Sequence, residues 1–198
     1  MRDVVKRIFS FAVLCLFMSS AVASNQINQR MCSTLLDNNV VSVQLHSVKQ
    51  LIEQDFEGTL VELKNAGFDA VEFAGRYGQF KNDAQGLKQF LDNLKLEVSG
   101  VHAGLPQLRG EKGNRNLQFF KDIGAEFVII PHDARVDDVQ HIDALIKELN
   151  VLSTKVQEYG MTLGYHNHAK EFKAFKKSTF WDYLASNTHK SFFLQLDV

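Results

Sequence analysis

Apolar residues recur along the chain in two alternating rhythms, one suited to strands and one to helices. Val40-Val41-Ser42-Val43-Gln44-Leu45-His46 is a short β-rich run and predicts a first strand. Leu51 to Ala66 follows, with Leu60, Leu63 and Ala66 near helical spacing and Gly67 as a stop signal. The same pair then repeats. Asp69–Ala74 predicts strand two and Leu87–Leu94 a helix. Leu96–His102 predicts strand three and Asn114–Ile123 a helix closed by Gly124. Glu126–Pro131 predicts strand four, and Val136–Tyr159 a long helix closed by Gly160. Met161–His166 predicts strand five, Thr179–Ser186 a helix, and Phe192–Asp197 strand six.

The strand starts lie roughly 30 residues apart, the size of one βα unit. Strict alternation implies a parallel sheet covered by helices, either a barrel or an open doubly wound sheet. An open sheet for nucleotides usually carries a glycine-rich turn after its first strand. Here that turn reads Leu45-His46-Ser47-Val48, without glycine. The expected fold class is therefore α/β, a (β/α)₈ TIM barrel. Such a barrel takes about 250 residues. This sequence stops at Val198, just after a strand, so the expectation is a barrel truncated after the sixth strand. The alternative is a complete six-stranded open sheet.

The first residues fall outside this pattern. Arg2, Lys6 and Arg7 precede an apolar run from Ile8 to Met18, and Ala21-Val22-Ala23 fits the small-x-small pattern of a cleavage site. Residues 1–23 are expected to be a signal peptide and 24–198 the partial barrel domain. The protein is then exported, to the periplasm, with no membrane span after cleavage. The whole chain carries a formal charge of -1. Residues 1–23 hold three basic residues and one acidic residue, which leaves the remainder at about -3. That balance gives no basic face for nucleic acid. A single cysteine, Cys32, remains after cleavage, so stability must come from the core and not from an internal disulfide.

Active sites of parallel barrels lie at the C-terminal ends of the strands. Those ends read His46, Glu72, His102, Pro131-His132, His166-Asn167-His168 and Asp197, and five of the seven histidines are among them. Glu72 lies within an apolar strand, where an unpaired carboxylate is costly. His102, with Gly104 close by, admits a ligand. His132 reads as loop polarity, and His141 and His189 as surface residues of helical segments. The densest cluster is Tyr165-His166-Asn167-His168 with Glu171. Imidazole and carboxylate together suit Zn, Mn, Co or Fe better than Mg or Ca. Adjacent strands are about 4.8 Å apart, which lets His166 and Asp197 share one ion.

These pieces carry a resemblance. Val43-Gln44-Leu45-His46-Ser47-Val48, Gly67 to Gly75, Gly100-Val101-His102, Tyr165-His166-Asn167-His168 with Glu171-Phe172, and Leu196-Asp197-Val198 resemble, in order and spacing, the sugar phosphate isomerase/epimerase family of xylose isomerase-like barrels. The likeness is to its exported Tyr-His-Asn-His branch. It implies a divalent metal held by residues from strands five to eight, with His166 where many relatives have Glu and Asp197 at the Asp position. His46 stands where the family often has Tyr. The resemblance also implies proton abstraction beside a carbonyl of a ketose or keto-sugar, yielding isomerisation or epimerisation. Glu171 and His168 are the expected acid/base partners, and His46, Glu72 and His102 the expected sugar contacts. The alternatives are a 3-keto-glycoside-cleaving enzyme, a non-catalytic exported sugar-binding protein, and a metal-dependent endonuclease on the same barrel. Charge and export oppose the last.

Overall fold

The computed structural model describes residues 40–197. The expected signal peptide and Cys32 lie outside them. Strand β1 is Ser42–Gln44, and the single helix expected next is two, α1 (Lys49–Gln54) and α2 (Phe56–Asn65). Asp55 makes the break. Its backbone is extended, and its carboxylate accepts the Gly58 N–H at 2.9 Å, so it ends one helix and caps the next. Strand β2 is Ala70–Phe73 and α3 is Ala84–Leu94. Asp83 accepts the Gly86 N–H at 2.8 Å and thereby starts α3 three residues before Leu87. Strand β3 is Glu97–His102, followed by a short α4 (Leu105–Leu108) and by α5 (Gly110–Asp122).

Strand β4 (Phe127–Ile130) leads into α6 (Ile142–Glu158), which starts later than Val136. The Asp138 carboxylate holds a turn there, accepting from the Gln140 N–H at 2.8 Å and bonding His141 Nδ1 at 2.7 Å. Strand β5 is Thr162–His166. A small antiparallel hairpin, β6 (Ala174–Phe175) and β7 (Ser178–Thr179), was not expected from the pattern. Helix α7 (Phe180–Asn187), whose Asp182 N–H donates to Thr179 Oγ1 at 3.1 Å, and strand β8 (Phe193–Gln195) complete the described residues.

Among the described residues the main sheet runs β1-β2-β3-β4-β5-β8, with every pairing parallel. In a flat sheet β2 and β8 would stand roughly 19 Å apart, four strand spacings. Instead Gln195 Nε2 of β8 donates to Glu72 Oε2 of β2 at 2.7 Å. No pair of side chains bridges the flat distance, so the sheet curls into a barrel wall with the polar face inside. The α/β barrel expectation holds, and the flat open sheet does not.

The two faces differ sharply. Val71, Phe73, Val101, Val128, Ile130, Leu163 and Tyr165 pack outward into one core with Leu60, Leu87, Leu117, Leu149 and Leu184 of the helices. The inner face has an apolar floor, where Phe127 and Phe193 meet edge-on at 4.7 Å. Two glycines make room for it. A Cβ at Gly164 would lie 2.4 Å from the Phe193 ring, and one at Gly100 would lie 2.9 Å from Ile129. A β-bulge also shapes this face: Val71 pairs with Val98, but Glu72 pairs with Gly100. The unpaired Ser99 bonds Ser42 Oγ at 2.7 Å. The bulge brings Gly100 and then His102 into line with Glu72 on the inner wall.

Candidate functional site

One connected network of polar side chains lies above the Phe127–Phe193 floor, and Glu72 is its centre. Glu72 is only 9% exposed. Its carboxylate accepts from Gln44 Nε2 at 2.6 Å, Gln195 Nε2 at 2.7 Å and His102 Nε2 at 2.9 Å. Burial pushes this carboxyl up. The hydrogen bond and charge of His102, with the amide donations of Gln195 and Gln44, outweigh that push and hold it below its ordinary 4.5.

The ionised carboxylate orders everything around it. It only accepts, so the Gln195 amide turns its NH₂ toward Glu72 and its carbonyl away. Gln195 Oε1 then accepts from His102 Nε2 at 3.1 Å and from His166 Nδ1 at 3.0 Å. This places a proton on Nε2 of His102, shared between Glu72 and Gln195, and a proton on Nδ1 of His166. Nε2 of His166 is left with a lone pair facing Asp197 Oδ2 at 3.7 Å. Burial, followed by the charge of His102, holds the His166 imidazole below its ordinary 6.5 and favours its neutral form.

This arrangement carries a pH expectation. A carboxyl depressed in the folded state contributes stability that is complete above its unfolded value and drains as the pH falls through the folded one. Urea denaturation at a series of pH values below about 4.5 is expected to show wild type losing stability more steeply than Glu72→Gln, which has no such proton to take up. Parallel slopes would show that Glu72 is not held ionised by these partners.

The structure brings together Glu72, His102 and His166 of the expected site residues, with Asp197 at the rim. Asp197 is exposed. Its backbone is clamped by the buried Asn167, which donates Nδ2 to the Asp197 carbonyl at 3.0 Å and accepts its N–H at 2.7 Å. His46 stands apart. It lies exposed in the turn after β1, and its N–H donates to Gln44 Oε1 at 2.8 Å. His168 is exposed beside His166, with ring centroids 5.1 Å apart, and His132 lies beyond it at 6.2 Å. Glu171 is fully buried and accepts the His168 N–H at 2.7 Å and the Tyr165 hydroxyl at 3.4 Å. Burial, with the nearby carboxylates of Glu171 and Asp133, raises the Tyr165 phenol far above its usual value, so it remains a donor. Glu171 thus fastens the His168 loop and does not join the Glu72 network.

Sequence reasoning passed over Gln44 and Gln195. Each is an amide within an apolar strand, two residues before a singled-out rim residue, His46 or Asp197. With a period of two, each shares the inward face, and that was the available signal.

A divalent metal is the expectation from the sequence resemblance, and the side chains at the rim meet it in part. His166 has the required form: Nδ1–H fixed by a carbonyl oxygen and Nε2 free to ligate, with a carboxylate opposite. These two side chains fit two positions of a nitrogen-and-oxygen site. Among the described residues no group of three or more His, Cys, Asp or Glu converges on one point.

No family model and no curated protein matches this sequence. Solved structures do. A sugar phosphate isomerase/epimerase from Parabacteroides distasonis is 22% identical with a TM-score of 0.64, over 80% of this chain and 65% of that one. A second protein of that description from the same organism is 20% identical with a TM-score of 0.59, over 80% and 68%. A xylose isomerase-like TIM barrel protein from Mycobacterium smegmatis, in complex with magnesium, is 13% identical with a TM-score of 0.52, over 72% and 56%. The match spans about two thirds of the length of the Parabacteroides chains. Inward polar ends on a curled parallel sheet and the likeness to these structures agree: residues 40–197 form six parallel strands of a partial TIM barrel.

Proposed function

We infer that this barrel serves a divalent-metal-dependent sugar isomerase or epimerase, acting on a ketose or keto-sugar by proton abstraction next to a carbonyl. The observation that carries the reading is the Glu72–His102–Gln195–His166 network, which spans the barrel at the C-terminal strand ends. The names of the similar Parabacteroides structures agree with it. So does the magnesium bound by the Mycobacterium smegmatis protein, although imidazole and carboxylate here suit Zn, Mn, Co or Fe better.

In this reading His166 and Asp197 hold the metal, which when bound polarises the carbonyl and its neighbouring hydroxyl. The ionised Glu72 accepts hydrogen bonds from sugar hydroxyls, and His102, whose proton position is fixed by Glu72 and Gln195, contacts them beside it. His46, from the turn after β1, adds a further hydroxyl contact at the mouth. His168 takes the proton from the carbon beside the carbonyl, leaving an enediolate, and returns it to the neighbouring carbon in isomerisation, whereas epimerisation draws its proton from water on the opposite face. Glu171 pins the His168 backbone and positions that ring. Export, with residues 1–23 removed, belongs to the same proposal, and N-terminal sequencing of the secreted protein tests it.

The full chain, mixed with candidate ketoses in D₂O and each of Mn, Zn, Co, Fe and Mg, is expected to exchange the hydrogen beside the carbonyl, read by NMR. His168→Ala should slow that exchange by about 10²–10³-fold. Sugar binding without exchange under any cation would favour the non-catalytic sugar-binding reading. Absence of both would end the sugar reading altogether.

A further inference from the structure

A second recess opens beside the network, on the far side of His102. It has a volume of about 410 Å³ and lies between the β2–α3 connection and helix α5. His102 and Tyr77 line it, together with three cations, Lys81, Lys112 and Arg115. No aspartate or glutamate is among its lining residues.

The chain carries 22 basic and 23 acidic residues, and several of its cations are matched. Arg76 pairs with Glu53, Lys88 with Asp92, Arg109 and Arg135 with Glu148, and Lys173 with Asp137. Lys81, Lys112 and Arg115 make no ion pair among the described residues. Helical spacing sets Lys112 and Arg115 on one side of α5. Phe119, one turn further along, meets Tyr77 edge-on at 5.0 Å and fixes that side against the β2–α3 connection. Three like charges around one concavity raise the local anion concentration, and the aromatic wall strengthens their field by excluding water.

His102 belongs to both spaces. Its Nε2 is bound to Glu72 and Gln195, and its ring forms part of the recess. A ligand with hydroxyls at the network therefore reaches the recess directly. An anionic substituent is repelled from the ionised Glu72 and attracted to the three cations. We propose that the recess is an oxyanion subsite and that the ligand is an acidic sugar derivative bearing a carboxylate or a phosphate. The sugar part of this proposal rests on the function inferred above; the oxyanion part rests on the recess alone.

Calorimetric titration of the full chain with glucose, glucuronate, glucose 6-phosphate and inorganic phosphate tests it. At low salt the anionic sugars are expected to bind at least about tenfold more tightly than glucose. That advantage should shrink as sodium chloride screens the cations. The double variant Lys112→Met, Arg115→Met keeps the aliphatic stems, and both side chains are exposed, so its thermal melt should match wild type. It should lose the advantage and the phosphate binding but keep its affinity for glucose. A preference for glucuronate over glucose 6-phosphate, or the reverse, identifies the carboxylate or the phosphate as the natural group. Equal affinity for glucose and both anionic sugars, or an advantage that survives in the double variant, overturns the subsite. Binding of inorganic phosphate that the double variant abolishes, with no sugar bound, would leave the subsite standing and remove the sugar reading.

Discussion

Replacing Glu72 with alanine is expected to cost about 3 kcal/mol of folding stability. Three donors converge on this carboxylate from three other strands: Gln44 from β1, His102 from β3 and Gln195 from β8. Removing the acceptor strands the Gln44 and Gln195 amide donors where water has little access and leaves His102 Nε2 only its contact with Gln195 Oε1. The barrel also loses the acceptor that, among the described residues, ties β2 to β8 across the interior. Glu72→Gln fills the same volume but presents an NH₂ to amide donors, so a loss of about 1–2 kcal/mol is expected. Urea unfolding followed by circular dichroism measures both. An alanine variant as stable as wild type would mean that the network is open to water and that Glu72 does not organise it.

Gly164→Ala tests the floor beneath. Its Cβ would lie 2.4 Å from the Phe193 ring, which is itself held edge-on against Phe127. The ring cannot swing aside without leaving that contact, and the register Gly164–Phe193 and His166–Gln195 ties it to the site above. A loss of about 2–3 kcal/mol is expected from overpacking, measured as a drop in the urea midpoint at unchanged m value. The same displacement would pull Gln195 from His166 and Glu72. A double variant, Gly164→Ala with Phe193→Ala, removes the clash and should recover part of the single variant's loss. If Gly164→Ala is neutral, the ring has free space and the close approach of β5 and β8 is not enforced by packing.

Much of the fold was readable from period alone. Alternating apolar runs and amphipathic stretches mark five strand–helix units, three of them stopped by Gly67, Gly124 or Gly160. Those glycines adopt positive φ at the turns, a conformation that other residues reach only with strain. Local capping chemistry was less visible. Asp55 splits one expected helix in two, and Asp83 advances another, because a short carboxylate at the right offset satisfies backbone N–H groups that apolar spacing does not register. The hairpin β6–β7 has strands of two residues each, too short for any periodicity to show.

The site was half legible for a related reason. Glu72, His102 and His166 drew notice because titratable residues at the ends of apolar strands are costly without a purpose. Gln44 and Gln195 are uncharged amides that carry no such cost on their face, yet they supply most of the network's connections. Glu171, the acid in the densest polar cluster, is spent on the His168 backbone and the Tyr165 hydroxyl.

By itself the sequence determined which face of each strand meets helices, since burial of Val, Ile, Leu and Phe with period two leaves little choice. It also determined which residues stand at the C-terminal rim, since parallel order places every strand end on one side. Tertiary structure alone decided which rim residues touch. That outcome depends on the curl of the sheet, on the extra residue at Ser99 that turns His102 inward, and on Gly164, which lets Phe193 close against β5. Each of these couples residues far apart in the chain, and pairwise distance through space leaves no periodic trace along it.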